Sequence, residues 1–428
     1  MRYLERTWNP QDVPHLSRRD RSPGVYRAYV PDELPLDLPE LSRAAEDAAG
    51  AALAVLARAD ERIGARGQYL NHLLIRSESI SSSWIEGNRV TPKRLAIAEL
   101  LHHGPRVAID VIANVRATED AIHALADRDR TITLEDIEAL QHVIEPSLPE
   151  GIRQEQNWVG GSGWSPLRAD FVPPPETKVR RLLENLAQFC TETPGNPVVR
   201  AAVAHAQFET IHPFIDGNGR TGRALIHTIL KRTDAVRNLL IPISTVLAAD
   251  TDAYIAGLTA FREGRLDDWV SSFAEAAELA ASTAVQLSND VARLDTDTVR
   301  QLIAYREQEG LAPVRPRSDA VVLRILDRLA TDPVLTIDSA ARTHGVSKVA
   351  AQRALTQLAD AGILHRNKDQ KGRLVCWTAD RHLALVALTE RSNRVGGGDT
   401  IAQRPPRGPS VPDVSVVGRL RDAGVASS

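Results

Sequence analysis

Ile211-His-Pro-Phe-Ile-Asp-Gly-Asn-Gly-Arg-Thr-Gly-Arg223 interrupts a run of helical sequence and holds the densest chemistry in the chain. Upstream, 197–211 carries helical spacing and opens on Pro197, a residue suited to the first helical position. Pro213 cannot continue that helix, and Gly217-Asn218-Gly219 suits a tight turn, because Gly and Asn accept left-handed backbone angles. Helical spacing resumes from Arg220. A histidine thus ends one helix, a carboxylate follows four residues on, and a second helix opens behind a glycine turn. Backbone N–H groups of such a turn point together, and the helix N-terminus adds unpaired donors and positive potential. The result is an anion cradle. Arg220 and Arg223 lie three apart on one helical face, where both guanidinium groups reach one polyphosphate. Asp216 is a hard oxygen ligand suited to Mg²⁺ bridging phosphate oxygens, and His212 suits a general base near neutral pH. Together these residues describe phosphoryl or nucleotidyl transfer.

The run resembles the Fic family signature, His-Pro-Phe-x-Asp-Gly-Asn-Gly-Arg-x-x-Arg, at every specified position. With nine positions fixed, a chance match has odds on the order of 10⁻⁹. A helix-turn-helix corner with incidental charges does not need this combination. The resemblance implies a protein adenylyltransferase that moves AMP from ATP to a Ser, Thr or Tyr hydroxyl of a protein. It implies His212 as the base, Asp216 as the Mg²⁺ ligand, and Gly217, Asn218 and Gly219 as phosphate binders. Arg220 and Arg223 would grip the β and γ groups, while Phe214 would be a core anchor. Removal of AMP, or transfer of another phosphate-containing group, would use the same site. Rival motifs fail: Gly160-Gly-Ser-Gly-Trp-Ser lacks the lysine of a P-loop, and His205 with His212 lacks a third metal ligand. His205 reads as a core histidine.

Ser82-Ser-Trp-Ile-Glu86-Gly87 resembles the inhibitory motif of the same family, Ser/Thr-x-x-x-Glu-Gly/Asn. Alone, so short a pattern is weak, and it also suits a helix end with a solvated glutamate. A Glu86 carboxylate paired with Arg223 would remove the guanidinium that must hold the γ-phosphate, leaving the α-phosphate misaligned for attack. Between these motifs, 151–175 is rich in Gly and Pro, with Trp158, Val159 and Phe171 between them, and suits a short hairpin. It resembles the family's flap, whose strand edge pairs with the target by main-chain hydrogen bonds; the docking stretch is 156–173. Similar sequence continues through Tyr254, a residue placed near the adenine, to Trp269. The resemblance spans 15–290.

The rest of the 428-residue chain bounds these readings. It is 43% hydrophobic and 25% charged with a net charge of −3, a soluble composition that demands neither nucleic acid nor an acidic membrane as partner. Scarce aromatics and abundant Ala favour helices. The start lacks an apolar signal region, and no apolar stretch reaches membrane-span length, so a cytoplasmic protein is expected. Cys190 and Cys376 have no neighbours at zinc-ligand spacing. Residues 1–40 read as an irregular arm, and helices are expected at 41–65, 69–85, 91–103, 108–127, 134–144 and 176–191, with a later helical run ending near 295. The expected organisation is an N-terminal region over 1–110 with the arm and inhibitory helix, a catalytic core over 111–295, and a separate unit over 318–388. A disordered tail follows over 391–428. A homodimer is left open.

The C-terminal unit reads as helices over 321–329, 337–344 and 348–361, with Gly362 as a left-handed cap, then a polar turn between two strands. That order resembles a winged helix. Residues 311–390 hold 12 Lys and Arg against 8 Asp and Glu. Lys348, Gln352 and Arg353 could face a DNA groove, with Lys368, Lys371 and Arg373 on phosphates, or the unit could dock protein. The expected fold is therefore mainly all-α: a Fic helical core, a small β-hairpin flap and a winged helix-turn-helix. A competing function is a DNA-binding regulator that merely senses nucleotide, and an intact His212 argues against it.

Overall fold

The structure, a computed structural model, describes residues 2–10, 20, 22–64, 67–87, 90–101, 106–161, 164–368 and 375–385. The tail from 391, and Lys371 and Arg373 of the expected wing, lie outside the described residues, as does the Lys368 side chain. Strands β1 (Arg2–Trp8) and β2 (Gly24–Val30) pair antiparallel, Arg2 opposite Val30 and Trp8 opposite Gly24. This corrects the expectation of an irregular arm over 1–40. Val25 and Arg27 face solvent while Tyr26 and Ala28 are buried, a strand alternation that the prolines nearby obscure in sequence.

The helical body consists of α1 (Arg43–Ile63), α2 (Gly67–Ile85), α3 (Pro92–Leu101), α4 (Arg106–Leu125), α5 (Leu134–Ile144), α6 (Glu176–Glu192), α7 (Pro197–Ile211), α8 (Asn218–Arg232), α9 (Ile243–Ala249), α10 (Thr251–Arg262) and α11 (Leu266–Gln308). Local chemistry starts several of them. Ser42 caps α1, Asn196 caps α7, and Thr133 closes a capping box with Asp136 at α5. Helix α7 runs through the centre, buried at nearly every position, with α6, α8, α10 and α11 against it. Small residues let α1 lie along α11, where Ala45, Ala49 and Ala52 of one helix and Ala277, Ala280 and Ala284 of the other are all buried. None of these helices is long and apolar enough to cross a membrane.

Among the described residues, the segment between α5 and α6 holds one β-bridge, Val159 with Phe171, and a short 3₁₀ turn at Pro166–Arg168. The Tyr29 amide of β2 donates to Val172 O at 2.9 Å, which adds the N-terminal hairpin to the flap. Trp8 meets Trp158 edge to face at 5.6 Å, and Tyr26, Ala28, Trp158 and Val172 form a small core of their own.

Helix α11 continues past the end expected near 295, because Thr298 and Leu302 carry its buried stripe onward. Leu302 packs in a second core with α12 (Val321–Leu326), α13 (Ile337–His344) and α14 (Lys348–Asp360). Three short strands complete this unit: β3 (Val334–Leu335), β4 (His365–Lys368) and β5 (Val375–Thr378), ordered β3-β5-β4 and antiparallel. Gly345 ends α13 in the left-handed region at φ 62°, and Ser347 caps α14. The unit rests on α2 and α3. Arg76 donates to Thr331 O at 3.1 Å, Lys93 pairs with Asp380 at 2.9 Å, and Ala96 packs with Val334, Cys376 and Leu383.

Candidate active site

Helix α7 ends at His212, which adopts the left-handed conformation at φ 47° and ψ 61° and so turns the chain sharply out of the helix. The four carbonyls that follow the helix are all bound. Arg153 donates to Ile211 O and His212 O, its own amide donates to Pro213 O, and Asn157 donates to His212 O and Phe214 O. Asn218 braces the loop from the other side: its Oδ1 accepts from Phe214 N and its Nδ2 donates to Phe214 O, both at 2.9 Å. The Asn218 side chain is therefore committed to the loop, which leaves the backbone amide as its contribution to an anion cradle. Phe214 is buried against Phe208, the core position expected of it.

His212 remains partly exposed to solvent. Burial, aided by the charge of Arg153, lowers its pKa to about 4, against the opposing pull of Glu86. The imidazole is thus neutral at pH 7, the protonation state a base needs. His205, one helical face further in, is fully buried, and its Nε2 meets the Tyr254 hydroxyl at 2.7 Å, a core histidine as read. Tyr254 is buried beside it, its ring stacked on His205 and tilted against Trp269, which also contacts His205.

Asp216 lies at the turn, with Oδ1 accepting from the Gly217 amide at 2.5 Å and 3.6 Å from Arg220. Burial raises its pKa and Arg220 opposes the shift. Gln141 on α5 holds the Asp216 carbonyl at 3.0 Å. Among the described residues, no group of three or more His, Cys, Asp or Glu is arranged to hold a metal alone. A single carboxylate beside a helix N-terminus does fit Mg²⁺, which keeps waters and is held largely by substrate phosphates.

Gly217 caps α8 in the left-handed region at φ 79°, so the first turn of the helix opens onto the site with unpaired amides. The two arginines of α8 have separate partners. Arg220 pairs with Glu145 at 2.9 Å. Arg223, buried, donates from Nε to Ser82 Oγ at 2.8 Å and from Nη2 to Ser82 O at 2.9 Å and Glu86 Oε1 at 2.8 Å. A Cβ built on Gly219 would lie 1.9 Å from that same Glu86 oxygen. The glutamate carboxylate is thus seated against the bare glycine of the turn, beside the Arg223 guanidinium, which also lies close to that glycine. Burial alone would lower the Arg223 pKa, but Glu86, Tyr254 and Glu209 together raise it. Gly87 follows at φ 85°.

Several site residues carry no local sequence signal. Arg153 and Gln141 reach the loop and Glu145 reaches Arg220 from positions outside any motif, while Asn157, inside the flap-like stretch, has a loop contact that no local pattern announces. Glu78, on α2 about two turns before Glu86, takes His227 Nε2 at 2.9 Å and the Ser244 amide at 2.8 Å. Glu209, on α7 one turn before His212, is a further unforeseen carboxyl. Burial raises its pKa to about 7, Arg223 opposes and Glu86 adds to the rise.

The Fic/DOC family model matches residues 131–230, from the N-cap region of α5 through most of α8. A protein adenylyltransferase Fic of Drosophila willistoni is 30% identical over 238 residues, 53% of this chain and 43% of that protein. A probable protein adenylyltransferase of Aquifex aeolicus is 32% identical over 121 residues, 28% of this chain and 33% of the relative. The chain thus spans less than half the length of these curated relatives. A solved Fic family protein from Desulfovibrio desulfuricans G20 shares the fold with a TM-score of 0.50 at 19% identity, covering 80% of this chain and 98% of that one.

Proposed function

Because the chain carries a domain of the Fic/DOC family, we propose that it is a protein adenylyltransferase, a nucleotidyltransferase that moves AMP from ATP to a Ser, Thr or Tyr hydroxyl. The observation that carries this reading is a neutral, loop-held imidazole beside a glycine-turn helix N-terminus with a buried arginine. His212 takes the proton of the target hydroxyl as its oxygen attacks the α-phosphorus. The bond to the β-phosphate breaks and pyrophosphate leaves. The amides of Asn218 and Gly219 at the start of α8, set up by the left-handed turn at Gly217, hold the polyphosphate with Arg220 and Arg223 and fix the line of attack. Asp216 would hold Mg²⁺, which would neutralise phosphate charge.

The second part of the proposal is autoinhibition. Arg223 is engaged by Ser82 and Glu86, and the Glu86 carboxylate rests where a phosphate would have to lie. A γ-phosphate and this carboxylate compete for one guanidinium. ATP entering against Glu86 is left with its α-phosphate off line. Glu86→Gly should raise labelling of the protein itself and of lysate proteins by radiolabelled ATP at least tenfold. Equal labelling by variant and parent would refute the brake.

The target docks along the flap, over 156–173, by main-chain pairing. For the C-terminal unit the winged-helix reading is supported by its element order and strand order. Gln352 and Arg353 on α14 are exposed, while Lys348 pairs with Asp338 at 2.6 Å. A mobility-shift titration with duplex DNA in rising salt separates DNA binding, which weakens steeply with salt, from a protein-docking role, which gives no shift.

A further inference from the structure

Arg153 is 2% exposed, and among the described residues it makes no ion pair. Glu176, the carboxylate that acts on it most strongly, is engaged by Arg6 at 2.9 Å. A buried guanidinium is costly unless its donors are met. Here backbone carbonyls meet them. Nε donates to His212 O at 2.9 Å, Nη1 to Glu155 O at 2.9 Å, and Nη2 to Pro174 O at 2.5 Å and Ile211 O at 3.4 Å.

These four carbonyls belong to two different machines. Ile211 and His212 are the end of α7 and the base itself. Glu155 and Pro174 are the two feet of the flap. The backbone amide of Arg153 adds Pro213 O at 2.9 Å, and Asn157, on the same foot, holds His212 O at 3.2 Å and Phe214 O at 3.0 Å. His212 lies in the left-handed region, which a non-glycine residue leaves readily unless its carbonyl is held.

Resting on the adenylyltransferase reading, we infer that Arg153 is a positioning residue for the transfer step: it fixes the His212 backbone and ties it to both feet of the flap on which the target docks. Movement of either foot is transmitted through one planar group to the base. Lysine cannot replace it, since an ammonium donates from one point and cannot span four carbonyls. The Arg153 charge also helps keep the imidazole neutral, with Arg262 from α10 acting in the same sense and Glu86, just past the end of α2, against it.

The test uses Glu86→Gly as parent. A parent that transfers no AMP defeats the adenylyltransferase reading, not this one. Adding Arg153→Lys should lower kcat about 10–100-fold, as expected for a misplaced base. ATP affinity by calorimetry should change less than twofold, because the phosphate-binding residues of α8 are untouched. Asn157→Ala should lower kcat several-fold in the same way. Amide hydrogen exchange, which needs no turnover, should accelerate together over 153–175 and 211–217 in both variants. Parental kcat and parental exchange over 211–217 would overturn the inference, as would a loss of ATP affinity equal to the loss of kcat, the mark of a fold staple. If Arg153→Lys does not fold, Asn157→Ala decides alone: full activity with parental exchange overturns it.

Discussion

A carboxylate and a phosphate oxygen present the same face to a guanidinium, and Arg223 cannot serve both. In the proposed brake it is held by the Ser82 hydroxyl, the Ser82 carbonyl and the Glu86 carboxylate. His212 adds a pH prediction. Its pKa is held near 4 by burial and Arg153, so the neutral base persists far below the ordinary histidine range. The kcat of the Glu86→Gly protein should therefore stay flat from pH 8 down to about 6, read by initial rates. A fall centred near 6.5 would show an unperturbed imidazole. Stability follows the opposite course. Above the ordinary histidine value both folded and unfolded imidazoles are neutral and contribute nothing. As pH falls below it, unfolded His205 and His212 take protons while the folded rings, held near 3 and 4, do not. Denaturant midpoints should thus fall progressively from about pH 6.5 toward 4, and a flat profile over that window would contradict the burial of these rings. At this scale the sequence was most legible: His212, Asp216, Arg223 and Glu86 each sit in a motif whose chemistry reads directly. Arg153 did not, because its meaning lies in carbonyls some sixty positions away, to which no local pattern points.

Helix α2 makes several contacts of its own before the chain reaches Glu86. Along one seam with α8 it places Glu78 against His227, and Glu86 just past its end meets Arg223, with Ser77 and Ser81 reaching Thr245 of α9. Glu78 also takes both the amide and the hydroxyl of Ser244. Glu78→Ala would leave a buried imidazole, amide and hydroxyl unmet, at a cost of about 2–4 kcal/mol. Urea unfolding should show that loss, and a change below about 0.5 kcal/mol would mean water replaces the carboxylate. The close approach of α7 and α8 depends on Gly222, where a Cβ would lie 2.7 Å from Glu209 Oε1, 2.9 Å from Phe208 and 3.1 Å from His205 Nδ1. Gly222→Ala should destabilise by about 1–3 kcal/mol by the same assay, whereas a neutral result would require α8 to shift freely. Helices with clear caps, such as α5 behind Thr133 and α7 behind Asn196, were readable to the residue. The β1–β2 hairpin was not, because nearby prolines mask its alternation and the core that buries Tyr26 and Ala28 is completed by Trp158 and Val172 of the flap, far along the chain. Nor was β3, two residues whose strand character exists only through Trp377 and Thr378.

Across the whole molecule, α11 links two cores through about 65 Å of continuous helix. The C-terminal unit it carries returns to rest on α2 and α3, through Arg76, Lys93 and the apolar patch at Ala96. Truncation after Glu309 should therefore lower Tm by about 2–6 °C, seen by calorimetry, and an unchanged Tm would mean the seam adds nothing. The helices of the C-terminal unit were legible from periodicity and turn signals, but this return contact was not, since its residues are ordinary surface types in sequence. Whether the assembled parts transfer AMP is tested most directly by intact-protein mass spectrometry of Glu86→Gly after incubation with ATP and Mg²⁺. The expected result is a mass gain of one AMP that disappears when His212→Ala is added. No adduct on Glu86→Gly, or an adduct that survives His212→Ala, would contradict the assignment of His212 as the base of an adenylyl transfer.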